Sequence, residues 1–119
     1  MRALLIDDTE EFQMTMAWAL SREGFETEIV KLGRDVPARI KSFVPDVLVL
    51  DLSKPDINGT MISWLLRDNW PDLPIILAGA RSRDDGPLPA RTELLTKPFS
   101  IDDLVEAIVR LVYSPSSDL

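Results

Sequence analysis

The chain has 119 residues, of which 45% are hydrophobic, a size and composition typical of one folded domain and too apolar for a disordered segment. Thirteen basic and twenty acidic residues give a net charge of −7, so we expect no direct binding to nucleic acids or to anionic membranes. Cysteine and histidine are absent, which excludes disulfides, thiol or histidine catalysis and zinc sites built on those residues, and leaves only oxygen ligands for a metal ion.

Short apolar runs alternate with helix-like stretches from the N-terminus onward. The predicted strands cover residues 3–6, 27–30, 47–50, 75–78 and 93–96. The predicted helices cover residues 9–23, 35–43, 61–68 and 101–112. The first apolar run is too short for a signal peptide or a membrane span, so we expect a cytoplasmic protein.

Cap residues mark several of the predicted helix ends. Gly24 is placed to end the first helix, and Asp35 to cap the second. Ser100 and Asp103 have the spacing of a capping box at the start of the last helix.

Two stretches have neither the apolar run of a strand nor the apolar stripe of a helix. Residues 81–91 contain one glycine, two prolines and no apolar stripe, which predicts a loop where a further helix would be short or absent. Residues 114–119 are polar, so the predicted domain covers residues 1–113, followed by a tail or the start of a linker.

The alternation of buried strands with helices predicts an α/β fold, in which a parallel sheet has helices on both faces. In a doubly wound sheet of order 2-1-3-4-5, the carboxyl ends of strands 1 and 3 meet at the switch point where ligands bind. Tryptophans 18, 64 and 70 are expected to cover the core or a partner surface, and Met14 and Met16 to be packing residues.

Carboxylates follow both strands of that switch point. Asp7 and Asp8 follow the first strand, Asp51 follows the third, and Lys97 follows the fifth. Converging carboxylates repel one another, and a divalent cation such as Mg²⁺ relieves the repulsion. An aspartate beside a metal and a lysine can act as a nucleophile toward phosphorus and form an acyl phosphate.

Five separated motifs occur along the chain in a fixed order. They are residues 4–8 (LLIDD), residues 45–52 (PDVLVLDL), the loop from Lys54-Pro55 to Asn58-Gly59, residues 74–76 (PII) and residues 97–99 (KPF). In this combination the sequence resembles a response-regulator receiver domain of bacterial two-component signalling over essentially its whole length. The resemblance implies a flavodoxin-like five-stranded sheet of order 2-1-3-4-5.

The resemblance also assigns roles to residues of this chain. It implies that Asp51 is the phosphoacceptor and that Lys97 contacts the phosphoryl group. It implies that Mg²⁺ is bound directly by Asp8, Asp51 and the backbone carbonyl of Ser53, and through water by Asp7. Pro98 is a candidate for a cis peptide bond on the same grounds.

Partners follow from the resemblance as well. The phosphoryl donor would be a phosphohistidine on a histidine kinase or a histidine phosphotransfer protein, docking beside the first helix. A fused or separate output domain would read the signal, through the 79–89 loop and the last helix. We expect no enzymatic activity other than the domain's own phosphotransfer and autodephosphorylation.

The sequence departs from the family pattern at the two switch positions. Gly79 stands where family members usually have Thr or Ser, and a one-residue shift would place Ala78 or Ala80 there, none of which has a hydroxyl. Leu94 stands where they usually have an aromatic residue. Only 17 residues separate Gly79 from Lys97, fewer than is usual. Ser82 could supply a hydroxyl from an unusual position.

Two other interpretations stay open on the sequence. A pseudo-receiver that binds partners independently of phosphorylation would account for the altered switch positions. A phosphatase-like enzyme with an aspartyl-phosphate intermediate is a weaker alternative, because such enzymes usually have two aspartates two positions apart, whereas Asp7 and Asp8 are adjacent.

Overall fold

The structure is a computed structural model that describes residues 1–7, 10–51, 59–79 and 86–113, and the side chains of these residues except 7 and 10–13. Within those ranges the strands are β1 (Arg2–Asp7), β2 (Glu26–Lys31), β3 (Val47–Asp51), β4 (Ile75–Gly79) and β5 (Thr92–Thr96). The helices are α1 (Glu10–Arg22), α2 (Asp35–Phe43), α3 (Gly59–Asn69) and α4 (Ile101–Tyr113). Each predicted strand and helix is present, with bounds that differ by a few residues at most.

The strands form one sheet, in which every neighbouring pair is parallel and the order is β2-β1-β3-β4-β5. This confirms the predicted fold. The more polar β2 lies at one edge of the sheet and β5 at the other. β1 and β3 are neighbours at the centre, so their carboxyl ends emerge side by side at the switch point.

Two apolar cores lie on opposite faces of the sheet, because successive side chains of a strand point to opposite faces. Odd-numbered residues of β1 and β3 pack with α1 and α4 in one core, whose buried members are Ala3, Leu5, Met16, Leu20, Phe25, Val47, Val49, Ile76, Leu104, Ala107 and Ile108. Even-numbered residues pack with α2 and α3 in the other, whose buried members are Leu4, Ile6, Val30, Val36, Ile40, Phe43, Leu48, Leu50, Leu66, Ile75 and Leu77. Burial on both faces explains the unbroken apolar runs of the central strands.

The helix ends confirm two of the three predicted caps. Gly24 has φ of 93°, a conformation that favours glycine, and its N–H donates to Ser21 O at 3.0 Å just beyond α1. Ser100 and Asp103 form the reciprocal capping box, with bonds of 3.0 and 3.1 Å. The prediction for Asp35 is wrong: Arg34 occupies the N-cap position without a side-chain cap bond, and Asp35 lies in the first turn of α2.

The connection between β4 and β5 is described for residues 86–91, and these residues form no helix. The loop prediction is confirmed there, while residues 80–85, with Ser82 among them, lie outside the described residues. α3 holds this connection at both ends. The Trp64 Nε1–H donates to Pro87 O at 3.1 Å, and Arg67 Nη2 donates to Arg91 O at 3.2 Å.

One of the two methionines predicted to pack does so. Met14 is exposed on α1 rather than packed, while Met16 is buried. Trp18 and Trp64 are also exposed, and Trp70 packs partly against the second core.

None of the helices in the described part of the chain combines the length and apolar character that crossing a bilayer requires. α4 ends at Tyr113, and the predicted tail at 114–119 lies outside the described residues, so the domain boundary stays a prediction.

Candidate functional site at the carboxyl edge of the sheet

Asp51 is the last residue of β3, a strand in which every residue is buried. Its apolar run ends at this position, so the carboxylate lies at the carboxyl edge of the sheet between β1 and β4. Asp51 is only 3% exposed. A carboxylate this deeply buried is retained only where a cation or hydrogen-bond donors compensate for its lost hydration.

Lys97 provides such compensation from the far edge of the sheet. It follows β5 directly, and its Nζ donates to Asp51 Oδ1 at 2.7 Å. The Lys97 side chain is about one-third exposed, so the ammonium sits between the buried carboxylate and solvent. The sequence predicted that these two residues, 46 positions apart, would share a site, and the structure brings them together. The Lys97–Pro98 peptide bond is cis, as predicted.

The other predicted acidic residues are described only in part. The Cα of Asp7 pairs with that of Asp51 in the parallel register of β1 and β3, which places the two residues side by side at the same edge. The Asp7 side chain, Asp8 and Ser53 lie outside what the structure describes. Within the described residues, no group of three or more acidic, histidine or cysteine side chains is arranged to hold a metal ion. The predicted Mg²⁺ ligand set therefore stays a prediction.

The donor types at this edge fit a hard divalent cation. Asp7 and Asp51 are oxygen donors at adjacent strand ends, and Asp8 follows Asp7 directly in the sequence. Mg²⁺ is bound in proteins by one or two carboxylates together with water and phosphate oxygens. The one described cation at Asp51 is the Lys97 ammonium, which balances a single carboxylate.

Gly79 and Leu94, which the resemblance places at the switch positions, lie in the neighbouring strands β4 and β5. Gly79 is the last residue of β4, next to the strand that carries Asp51, and its φ is 142°, a value that residues with a side chain rarely adopt. Gly79 therefore not only lacks a hydroxyl: the backbone conformation at this position also disfavours any residue with a side chain. Leu94 lies in β5 and packs partly against the second core.

The sequence interpretation missed the roles of two residues that contact the connection between β4 and β5. Arg67 donates to Trp70 O at 2.7 Å, Leu73 O at 2.6 Å and Thr92 Oγ1 at 3.0 Å, in addition to its bond with Arg91 O. Burial and the nearby Arg91 lower the pKa of the Arg67 guanidinium. Trp64 was noted only as a covering residue. An arginine near a helix end gives no sequence signal for these bonds, because its acceptors come from distant segments.

Comparison with known proteins matches residues 3–109 to the response regulator receiver domain family. Transcriptional regulatory protein TrcR of Mycobacterium tuberculosis is 33% identical over 108 residues, which cover 87% of this chain and 42% of that protein. Response regulator MprA of Mycolicibacterium vanbaalenii is 30% identical over 121 residues, which cover 98% of this chain and 52% of that protein. This chain thus spans about half the length of these curated relatives, or less.

A solved structure shows the same architecture. The signal receiver domain of a response regulator from Bermanella marisrubri superposes with a TM-score of 0.75 at 27% identity, covering 93% of this chain and 97% of that one.

Proposed function

Because the chain belongs to the response regulator receiver domain family of two-component signalling, we propose that Asp51 accepts a phosphoryl group from a phosphohistidine of a partner protein. The observation that carries the proposal is the buried Asp51 carboxylate at the switch point, with the Lys97 ammonium 2.7 Å away. Membership of the response regulator receiver family supports a histidine kinase or a histidine phosphotransfer protein as the donor. These 119 residues contain no histidine and cannot supply the phosphohistidine themselves.

The transfer is a displacement at phosphorus. A carboxylate oxygen of Asp51 forms the new P–O bond while the P–N bond to the donor imidazole breaks, and the imidazole nitrogen keeps the electron pair and takes up a proton. The Lys97 ammonium stabilises negative charge on the phosphoryl oxygens, and it faces the site before transfer, so little reorganisation is needed.

The residues proposed to hold Mg²⁺ are Asp8, Asp51 and the Ser53 carbonyl directly, and Asp7 through water. Two observations support this ligand set: carboxylate oxygens are the ligands that Mg²⁺ prefers, and Asp7 and Asp51 are paired at the ends of the neighbouring strands β1 and β3. When bound, Mg²⁺ supplies charge neutralisation for the carboxylates and for the incoming phosphoryl group.

Phosphorylation adds close to two negative charges at a site whose described cation is one lysine, and such a change can shift an element between two arrangements. We propose that the response passes through the 79–89 connection, which begins at Gly79 beside the strand of Asp51, and through α4, which begins four residues after Lys97. An output domain, fused or separate, is proposed from the longer relatives. The domain itself turns over no other substrate.

Intact-mass spectrometry after treatment with Mg²⁺ and a small phosphodonor tests the phosphoacceptor role. The wild-type protein is expected to gain one phosphoryl group, and Asp51→Asn none. Asp68→Asn, an exposed aspartate on α3, is the matched control and should be labelled like the wild type. Equal labelling of Asp51→Asn and the wild type would refute the role.

The altered switch positions favour a second candidate, a pseudo-receiver that binds partners whatever its phosphorylation state. Gly79 carries no hydroxyl, Leu94 is not aromatic, and residues 86–91 form no helix. Two-dimensional NMR with Mg²⁺ and beryllofluoride, a phosphoryl mimic, distinguishes the candidates. Shifts that reach residues 86–91 and α4 support a switching receiver, whereas shifts confined to the strand ends support the pseudo-receiver.

A further inference from the structure

Arg91 is the last residue before β5, and its backbone has an unusual conformation. Its φ is 55°, in the left-handed region that residues with a side chain rarely adopt. The other described non-glycine residue with a positive φ is Val44, which ends α2, a usual place for this conformation. Arg91 ends no helix, so its conformation is held by its contacts, as strained residues at sites of conformational change are.

Two donors hold the backbone carbonyl of Arg91. The Ile75 N–H at the start of β4 donates to it at 3.0 Å, and Arg67 Nη2 in the last turn of α3 donates to it at 3.2 Å. Arg67 Nη2 also donates to Thr92 Oγ1 at 3.0 Å, so α3 binds the chain on both sides of the Arg91–Thr92 peptide bond. These bonds fix the end of the β4–β5 connection relative to β4 and α3.

The Arg91 side chain contacts a different element. Its Nη2 donates to Leu111 O, in the last turn of α4, at 3.3 Å. The carbonyls of a last turn have no donor within the helix, and a cation stabilises the negative end of the helix dipole. Arg110, the basic residue of that turn, pairs with the carboxylates of Glu93 and Glu106 instead. Arg91 is therefore a cationic cap of α4 that comes from the connection.

This arrangement includes unfavourable terms that an ordinary cap avoids. The Nε–H groups of Arg67 and Arg91 are buried, and neither has an acceptor within the described part of the chain. Burial and then the nearby charge of Arg91 lower the pKa of the Arg67 guanidinium, and Asp72 offsets this only in part. Strain, unmet donors and repulsion between like charges oppose the capping bond, so a small displacement of Arg91 is enough to break it.

We propose that Arg91 couples the β4–β5 connection to α4, so that a displacement of the connection removes the cationic cap of α4. The proposal rests on the proposed phosphorylation of Asp51 and names the residue that joins the connection to the last helix. The connection begins at Gly79, beside the strand of Asp51, and ends at Arg91. When it moves, the Arg91 guanidinium withdraws from Leu111 O and the last turn of α4 loosens.

This route does not need the two side chains that are missing at the switch positions. Gly79 has no hydroxyl and Leu94 is not aromatic, so neither can carry the signal as a residue of the usual type does. The main chain from Gly79 to Arg91 and the guanidinium of Arg91 provide a connection of their own between the site and α4.

Hydrogen exchange of the backbone amides, measured in the full chain with Mg²⁺ and with or without beryllofluoride, tests the coupling. In the wild type, beryllofluoride should speed exchange of residues 110–113 about two- to fivefold, the effect of losing a cationic cap. Arg91→Met keeps the long side chain and loses the donor. Its exchange in residues 110–113 should be fast already without beryllofluoride and should not change when beryllofluoride is added.

Two control variants separate this role from a general loss of stability. Arg91→Lys keeps a cation and a donor and should restore most of the wild-type response. Arg39→Met removes an arginine of α2 that pairs with Glu28, and it should respond like the wild type. Circular dichroism checks the fold of each variant, and Arg91→Gln replaces Arg91→Met if the latter does not fold.

The possible failures can be told apart. If Gly79 and Leu88 respond to beryllofluoride in the wild type while residues 110–113 do not, the coupling is refuted and the role of Asp51 stands. An equal response of α4 in Arg91→Met and the wild type, or equal exchange of the two without beryllofluoride, also refutes it. A wild type in which no amide responds, Gly79 included, contradicts the proposed function and the coupling with it.

Discussion

At the level of single residues, the proposed phosphoacceptor site consists of a buried carboxylate and the ammonium that faces it. Asp51 could be identified from the sequence because a strand buried on both faces ends in a charged residue, which calls for a special environment. Lys97 could be identified because it follows the last strand of the same sheet. The conformation of Gly79 could not, since φ values depend on the backbone around the residue.

The pair predicts a coupled effect on stability. Lys97→Met should lower the free energy of unfolding by about 1–3 kcal/mol, because it removes a charged hydrogen bond and leaves the buried Asp51 without its ammonium. In an Asp51→Asn background the same change should cost less, since position 51 then carries no charge for the ammonium to compensate. Urea denaturation of the four proteins measures this coupling, and an identical cost in both backgrounds would argue against it.

The backbone conformation of Gly79 leads us to expect that a threonine cannot be placed at position 79 without a loss of stability. Gly79→Thr should destabilise the protein by about 1–3 kcal/mol, because φ of 142° is strained for a residue with a branched side chain. Thermal unfolding checks this. Ala78→Ser, at the preceding position of β4, is the comparison and should cost less, and a stable Gly79→Thr protein would show that this backbone is not restricted to glycine.

Among the helices and strands, α3 holds the β4–β5 connection in place through the hydrogen bonds of Trp64 and Arg67. Its apolar residues at 61, 62, 65 and 66 predicted a helix correctly but not the side that faces the sheet, because apolar residues occur on both sides. Met61 and Leu65 turned out to face solvent, while Leu66 is buried. The Arg67 bonds were beyond prediction, since their acceptors lie in β5 and in the loops around it.

We expect Arg67 to contribute more to the free energy of unfolding than a surface arginine does. Arg67→Ala should lower the free energy of unfolding by about 2–3 kcal/mol, because the carbonyls of Trp70 and Leu73 lose a charged donor, while the carbonyl of Arg91 retains only the bond from Ile75 N–H. Arg39→Ala removes an exposed pair with Glu28 and should cost about 1 kcal/mol or less. Chemical denaturation compares the two, and equal costs would show that Arg67 has no special role.

At the scale of the whole molecule, the doubly wound sheet explains why distant residues share one edge. The five strands and four helices of the described residues, and their order, followed from the alternation of buried runs with amphipathic stretches. The two cores followed from the absence of polar residues in the central strands. The complete Mg²⁺ ligand set did not emerge, because Asp8 and Ser53 lie outside the described residues.

The acidic edge predicts that Mg²⁺ stabilises the folded protein. An ion that binds only the native state adds RT ln(1 + [L]/Kd), about 2.7 kcal/mol at a hundredfold excess over Kd. The thermal midpoint of the wild type should therefore rise with Mg²⁺ and fall back when a chelator is added. Asp51→Asn should respond less, and an unchanged response would place the ion elsewhere.

Chemical labelling can locate the phosphoryl group in the unmutated chain. After phosphorylation with Mg²⁺ and a small phosphodonor, borohydride reduces an aspartyl phosphate to homoserine, which peptide sequencing by mass spectrometry detects. We predict homoserine at position 51 alone. Homoserine at another aspartate, or a phosphoryl group that stays on a serine or threonine, would show that Asp51 is not the phosphoacceptor.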